Sequence, residues 1–239
     1  MSRIVLILII CLLHFSPTAR SESGDLESLN SFESLIDDAD QREGFEIFLK
    51  SLEKKRDRTD DRYFLRHLFY KVHKKFLKHY RQYASVNETF KNGAYDCVSG
   101  SVLYAYALEY FGFEYYANES AFHVNLHVKL NDGDVVFEAT NPLSGFLTSS
   151  KEILNLEQQI NLENESQGFD NRQIGFNELI GLQHLNLSIH LFNTGRYIEA
   201  AKAIGIAYHY YPSDRIRDMA MLINSQRSDR RIAVVNGDD

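Results

Sequence analysis

Between Asp96 and Gly112 the chain reads Asp-Cys-Val-Ser-Gly-Ser-Val-Leu-Tyr-Ala-Tyr-Ala-Leu-Glu-Tyr-Phe-Gly, and this run restricts the fold more than any other. Residues Val98 to Phe111 are apolar on nearly every side, so a helix here has no face for water and must lie in the middle of a domain. Asp96 is placed to cap its start and Gly112 to end it. Cys97 then falls in the first turn, where backbone N–H groups and the helix dipole stabilise a thiolate.

Strand signals follow. Glu114 to Ala117 is a short candidate, Phe122 to Leu130 alternates cleanly, and Val135 to Thr140 is a third run across the turn Asn131-Asp-Gly-Asp134. Asp132-Gly133 between alternating runs is a hairpin signal. A helix followed by antiparallel strands makes this an α+β domain. In the middle strand His123, Asn125, His127 and Lys129 share one face and Val124, Leu126, Val128 and Leu130 the other. A hairpin centred on Asp132-Gly133 would set Glu138 opposite His127 and Pro142 opposite His123, leaving His123 nearer Asn141.

The flanking segments set the organisation. Met1-Ser-Arg3, then an apolar run from Ile4 to Leu13, has the order of a secretory signal peptide cut after Ser21, with an uncleaved membrane anchor as the alternative. Removal of residues 1–21 would take Cys11 with it and leave Cys97 as a solitary thiol. No internal disulfide is then possible in an exported chain, which argues for a chemical role for Cys97. The expected location is periplasmic or secreted. Residues 22–43 carry eight carboxylates against one arginine and read as an acidic linker or loosely docked helix. Helical spacing recurs at Phe45, Phe48, Leu49 and Leu52. It recurs again from about Asp60 to Ala84 with Leu65, Leu68, Phe69, Val72, Phe76, Tyr80 and Tyr83 on one stripe and Thr59 as cap. Asn87 to Gly93 reads as a polar loop. The main domain is thus expected over 44–150, with a connecting segment at 151–175 holding a short helix near Lys151 to Leu156.

From Phe176 to Asn224 two antiparallel helices break at Asn193-Thr-Gly195 and end at Tyr211-Pro212, with a third helix at Ser213 to Asn224. The tail 226–239 is expected to be disordered. A net charge of -7 argues against a nucleic-acid partner.

Cys97, His123 and Glu138 have the residue types and order of a cysteine nucleophile, its base and an orienting carboxylate. By spacing alone His127 competes with His123. A metal site of His123, His127, Glu138 and Cys97 is disfavoured, because i and i+4 on a strand are roughly 13 Å apart at the backbone. No cofactor is expected. Asn92 and Tyr95 are the candidate oxyanion donors beside the Cys97 N–H.

Tyr95-Asp-Cys97 leading into an apolar helix, then His123-Val-Asn-Leu-His-Val, then Val136-Phe-Glu138-Ala-Thr140, resembles the transglutaminase-like branch of the papain-like cysteine enzymes. Gly195-Arg-Tyr197-Ile-Glu-Ala200, with Leu187 before it and Ala207 and Pro212 after, is similar to one tetratricopeptide unit, and the combination resembles SirB1-like proteins. His184 and Ser188 stand where such a unit usually has an aromatic residue and glycine. The resemblance implies a central helix packed on an antiparallel sheet, with Cys97 as nucleophile, His123 as base and acid, and Glu138 as orienting carboxylate. It departs at Asn125, where many members carry an aromatic residue, and in lacking tryptophan near the site. One helical unit cannot bury its own face, so these helices are expected to dock on the main domain at 44–150. The implied activity is hydrolysis or acyl transfer at a peptide, protein or cell-envelope amide. The alternative is an inactive fold of this type that binds a protein partner, in part through the C-terminal helices.

Overall fold

The computed structural model describes residues 31–236, with side chains to Arg227. In chain order the elements are α1 (Ala39–Arg56), α2 (Asp61–Lys75), β1 (His79–Tyr80), α3 (Val86–Asn92), β2 (Ala94–Tyr95), α4 (Cys97–Tyr110), β3 (Tyr115–Glu119), β4 (Val124–Val128), β5 (Val135–Phe137), β6 (Phe146–Leu147), α5 (Ser150–Gln167), β7 (Arg172–Ile174), α6 (Phe176–Asn193), α7 (Tyr197–Tyr210) and α8 (Asp214–Asn236). The expected leader at 1–21, including Cys11, and residues 237–239 lie outside the described residues. The class is α+β. Five antiparallel strands lie in the order β6-β5-β4-β3-β7, and β1 and β2 form a separate parallel pair.

Helix α4 is the centre of this arrangement. Val102, Leu103, Tyr104, Ala105, Ala107 and Leu108 are fully buried. The register sets Ala117, Leu126 and Phe137 side by side on one sheet face, and the Phe137 ring meets Tyr104 of α4 at 5.1 Å. That face therefore looks at the helix. On its other side Tyr104 stacks on Phe69 of α2 at 5.2 Å and donates its hydroxyl to the Phe69 carbonyl. The outer sheet face carries Tyr116 and His127, stacked at 4.8 Å as a cross-strand pair.

Several segments depart from the sequence reading. Part of the acidic stretch is core: Phe32, Leu35 and Ile36 are buried, and Phe32 stacks on Tyr106 at 4.1 Å. Its carboxylates misled because they sit on the outer side of three apolar anchors. Helix α2 is capped by Asp60, not Thr59, whose hydroxyl instead closes α1 on the Lys55 carbonyl. It also stops at Lys75, so Tyr80 and Tyr83 are not on its stripe. The N–H groups of Lys78 and His79 turn to the Gly93 carbonyl and start β1 beside β2, a pairing that local periodicity cannot report. The expected polar loop at Asn87 to Gly93 is α3, begun by a reciprocal capping box of Ser85 and Glu88. Helix α5 is longer than Lys151 to Leu156. It joins the two sheet edges while burying only Ile160 and Asn164, so it shows little amphipathic signal. Asn164 accepts from the Ala121 N–H in the β3–β4 turn.

The C-terminal helices dock as expected, α6 against α4. His184 stacks on Tyr210 across the α6–α7 pair, and the small Ser188 lets the helices close, donating to the Ala200 carbonyl. Helix α8 runs to Asn236, so residues 226–236 of the tail expected to be disordered are helical. Between Ser225 and Asn236 no glycine or proline interrupts the helix formers. No helix among the described residues is long and apolar enough to cross a membrane.

Candidate active site

Cys97 is the first residue of α4, just after its N-cap. Asp96 accepts from the Ser99 N–H at 2.8 Å, and the Ser99 hydroxyl accepts from the Asp96 N–H at 2.9 Å. This box fixes the backbone angle at which the sulfur leaves the helix. The Asp96 carboxylate is buried and also receives Asn186 Nδ2 from α6 at 2.9 Å. Burial pushes its pKa up, against the pull of Ser99 and Asn186.

His123 lies in the turn between β3 and β4, not on the strand. The Ser120 N–H donates to the His123 carbonyl at 2.8 Å, and the Ser120 hydroxyl accepts from the His123 N–H at 3.1 Å. One imidazole nitrogen, Nε2, donates to Glu138 Oε2 at 2.6 Å. That leaves Nδ1 as the ring nitrogen available to the neighbouring Cys97 thiol, whose influence raises the His123 pKa. Burial alone would lower the His123 pKa; the hydrogen bonds with Cys97 and Glu138 outweigh it and raise the value to about 10. Glu138 is buried just past β5. Its Oε1 accepts from the Thr140 N–H at 3.0 Å and the Thr140 hydroxyl at 2.5 Å. Burial works to raise the Glu138 pKa, but His123 and Thr140 prevail and lower it.

The structure thus brings together Cys97, His123 and Glu138 and leaves the other candidates apart. His127 is three per cent exposed, stacked on Tyr116, with Nε2 lacking a protein partner and its pKa lowered by burial. The expected pairing of Glu138 with His127 fails because β4 and β5 are two residues out of the simple register. Leu126 faces Phe137 and Val128 faces Val135, so the loop runs from Lys129 to Asp134. Arg62 of α2 holds it open, bonding Asp132 and donating to the Gly133 carbonyl at 3.1 Å. Asn141 is an exposed turn residue whose side-chain oxygen accepts from Ser144. Asn92 is likewise exposed and accepts from the Ala94 N–H. Tyr95 is buried, edge-on to His73 at 5.8 Å. Among the described residues no three His, Cys, Asp or Glu side chains form a metal-binding group.

Two glycines set the spacing of the site. A Cβ on Gly100, one turn after Cys97, would lie 2.9 Å from the Ala139 Cβ, so its absence lets α4 approach the residue after Glu138. A Cβ on Gly145 would lie 2.2 Å from the Glu138 carbonyl oxygen; the Gly145 carbonyl accepts from the Glu138 N–H at 2.7 Å.

Cys97 and His123 open into a cavity of about 150 Å³. Its lining includes Val98, Phe122 and Val124, together with Leu182, Leu185, Asn186 and Ile189 of α6, Arg215 of α8, and Tyr80, Gln82 and Tyr83. Tyr83 has φ +62°, a left-handed conformation costly for an aromatic residue and common where a loop is held for function. Gln82 is the side-chain amide on the β1–α3 loop that lines the cavity of Cys97, whereas the sequence had suggested Asn92 or Tyr95 as donors. No local motif marks Gln82, Asn186 or Arg215, because each reaches the cavity only through long-range packing.

Comparison with protein-family models, with curated proteins and with solved structures gave no match to this chain.

Proposed function

We propose that this chain is an exported, transglutaminase-like cysteine enzyme that hydrolyses an amide or transfers its acyl group. The observation that supports this reading is that Cys97 and His123 line one cavity, with the His123 imidazole bonded to the buried Glu138 at 2.6 Å. A central helix bearing the cysteine, packed on an antiparallel sheet whose strand ends carry histidine and carboxylate, is the arrangement the resemblance implies. Export rests on the N-terminal sequence alone.

In the mechanism the Cys97 thiolate attacks the carbonyl carbon and forms a C–S bond. The oxyanion is held by the Cys97 N–H, which as the first helical amide has no acceptor within the helix, and by the Gln82 side-chain amide. His123 gives its proton to the departing amine as the C–N bond breaks. Water, or a second amine, then attacks the thioester while His123 takes its proton, and the sulfur leaves. Glu138 keeps the imidazole oriented and stabilises its cationic form.

The test is alkylation of Cys97 by iodoacetamide across pH. Reaction at pH 5 to 6 well above that of a free thiol, lost in His123→Ala and retained in His127→Ala, is the expected result. A rate equal to that of a free thiol, or one that depends on His127 instead, overturns this assignment and leaves the binding-module reading.

A further inference from the structure

The cavity beside Cys97 holds a charge that the proposed acyl chemistry does not use. Glu119, at the end of β3, is one per cent exposed. Its Oε1 accepts from Arg215 at 3.2 Å and its Oε2 from the Tyr211 hydroxyl at 2.6 Å. The Arg172 guanidinium lies nearby, and Tyr211, Glu119 and Asp214 together raise its pKa. The buried Glu119 carboxylate is thus bonded by one guanidinium, that of Arg215, and by the Tyr211 hydroxyl. Arg215 contacts Glu119 through Nη1, its side chain is 35 per cent exposed, and it lines the same cavity as Cys97.

The other charged groups around the cavity are engaged. Asp96 is held by Ser99 and Asn186, and Glu119 by Arg215 and Tyr211. His123 belongs to the acyl chemistry. Arg215 lines this cavity with Leu182, Leu185 and Val98, and of its guanidinium nitrogens Nη1 is the one bonded to Glu119. A planar guanidinium fixed by a buried acid, with spare N–H groups in a partly desolvated site, is suited to receive a carboxylate. The size of the cavity limits where that carboxylate sits. A volume of about 150 Å³ resembles cavities that admit a benzene-sized group and lies below the ~300 Å³ of small-molecule sites.

We propose that Arg215 is a specificity-determining residue, and that the substrate is an amide with a free carboxylate within about one residue of the bond Cys97 attacks. This rests on Cys97 being the nucleophile. The C-terminal helices thereby acquire a role: α8 supplies the recognising cation and α6 the apolar wall. A chain terminus or an acidic side chain next to the scissile bond would each satisfy the site, and the two sources are separated by comparing substrates that carry only one of them.

The experiment compares iodoacetate with iodoacetamide, probes of nearly equal size that differ in charge. In both the Cys97 sulfur forms a C–S bond and iodide leaves. The readout is the ratio of the iodoacetate rate to the iodoacetamide rate, which divides out changes in thiol reactivity. Arg215→Gln is expected to lower this ratio about tenfold, the effect of losing one charge-assisted contact, while Arg215→Lys keeps at least half of it. Fast iodoacetamide labelling of the wild type with a ratio unchanged in Arg215→Gln overturns the role of Arg215 alone. Slow labelling of the wild type by both reagents overturns the nucleophile assignment and the inference with it. A second measurement needs no substitution. N-acetylglycine is expected to protect wild-type Cys97 from iodoacetamide and N-acetylglycinamide to leave it exposed; equal protection by the two also overturns the proposal.

Discussion

Gly100→Ala tests whether the approach of α4 to the Glu138 segment is needed for the site. Two effects oppose each other. Within a helix, replacing glycine by alanine is worth up to about 1 kcal/mol in favour of folding. The new Cβ, however, would stand 2.9 Å from the Ala139 Cβ where ordinary contacts are 3.4–4 Å, so one side must move by about 0.5–1 Å. Neither side is free to do so. Gly100 lies among buried residues of α4, and Ala139 is held between Glu138 and Thr140, which are bonded to each other. Overpacking of this kind costs about 1–3 kcal/mol, so the net effect is a loss of up to about 2 kcal/mol, or several degrees in Tm. The same shift moves Glu138 relative to His123 and is expected to slow Cys97 alkylation by one to two orders of magnitude. Gly205→Ala is the internal control. It lies in α7 with nothing within 4 Å of its would-be Cβ, so only the propensity gain applies and Tm should rise. The assay is thermal unfolding of both variants with iodoacetamide kinetics on each. If Gly100→Ala is as stable and as reactive as the wild type, the close approach is not a constraint and the reasoning fails.

Other perturbations follow from the buried ionisable groups. His73 and His184 are both lowered by burial to about 4, His73 against weaker opposition from the Ala139 and Leu77 backbone and the Glu138 charge. The neutral ring is the form that fits, so the stability linked to each is present above 6.5 and lost as pH falls toward 4. For His73 this is roughly 3 kcal/mol, and His73→Gln should flatten the acid limb of a urea-denaturation series between those pH values. His123 and Glu138 have a different window. His123 is raised to about 10, so its contribution is full below 6.5 and lost as pH rises through about 10; Glu138 is lowered, so its contribution is present above 4.5 and lost as pH falls below that value. Glu138→Gln should bring the His123 titration measured by NMR down toward the ordinary histidine range. An unmoved titration would show that the carboxylate does not hold the imidazolium.

Much of this architecture is local and was legible. Val98 to Phe111 has no polar face, and that alone dictates a buried helix with Cys97 at its start. The break at Asn193-Thr-Gly195 and the Tyr211-Pro212 stop delimit α7 without help from tertiary contacts. Ser85-x-x-Glu88 also announced a helix, and the polar letters after it hid the signal. Helix α5 was harder to see, because a helix that buries two residues of eighteen leaves almost no period in its sequence.

The sequence by itself determined that an apolar helix carries a cysteine at its N-terminus and that antiparallel strands follow it, with histidines and a carboxylate on them or at their ends. It left open which histidine the carboxylate meets. Strand register depends on the loop that joins the strands, and here Arg62, from a helix about seventy residues away, holds that loop two residues wider than the Asp132-Gly133 signal suggests. That displacement, with the Ser120 turn that lifts His123 off the strand, puts Glu138 on His123 and leaves His127 under Tyr116. The lining of the cavity was likewise decided in three dimensions. Asn186 and Arg215 line the cavity of Cys97 only because α6 packs on α4 and brings α8 with it, and no spacing along the chain encodes the bond from Asn186 to Asp96, made across 90 residues.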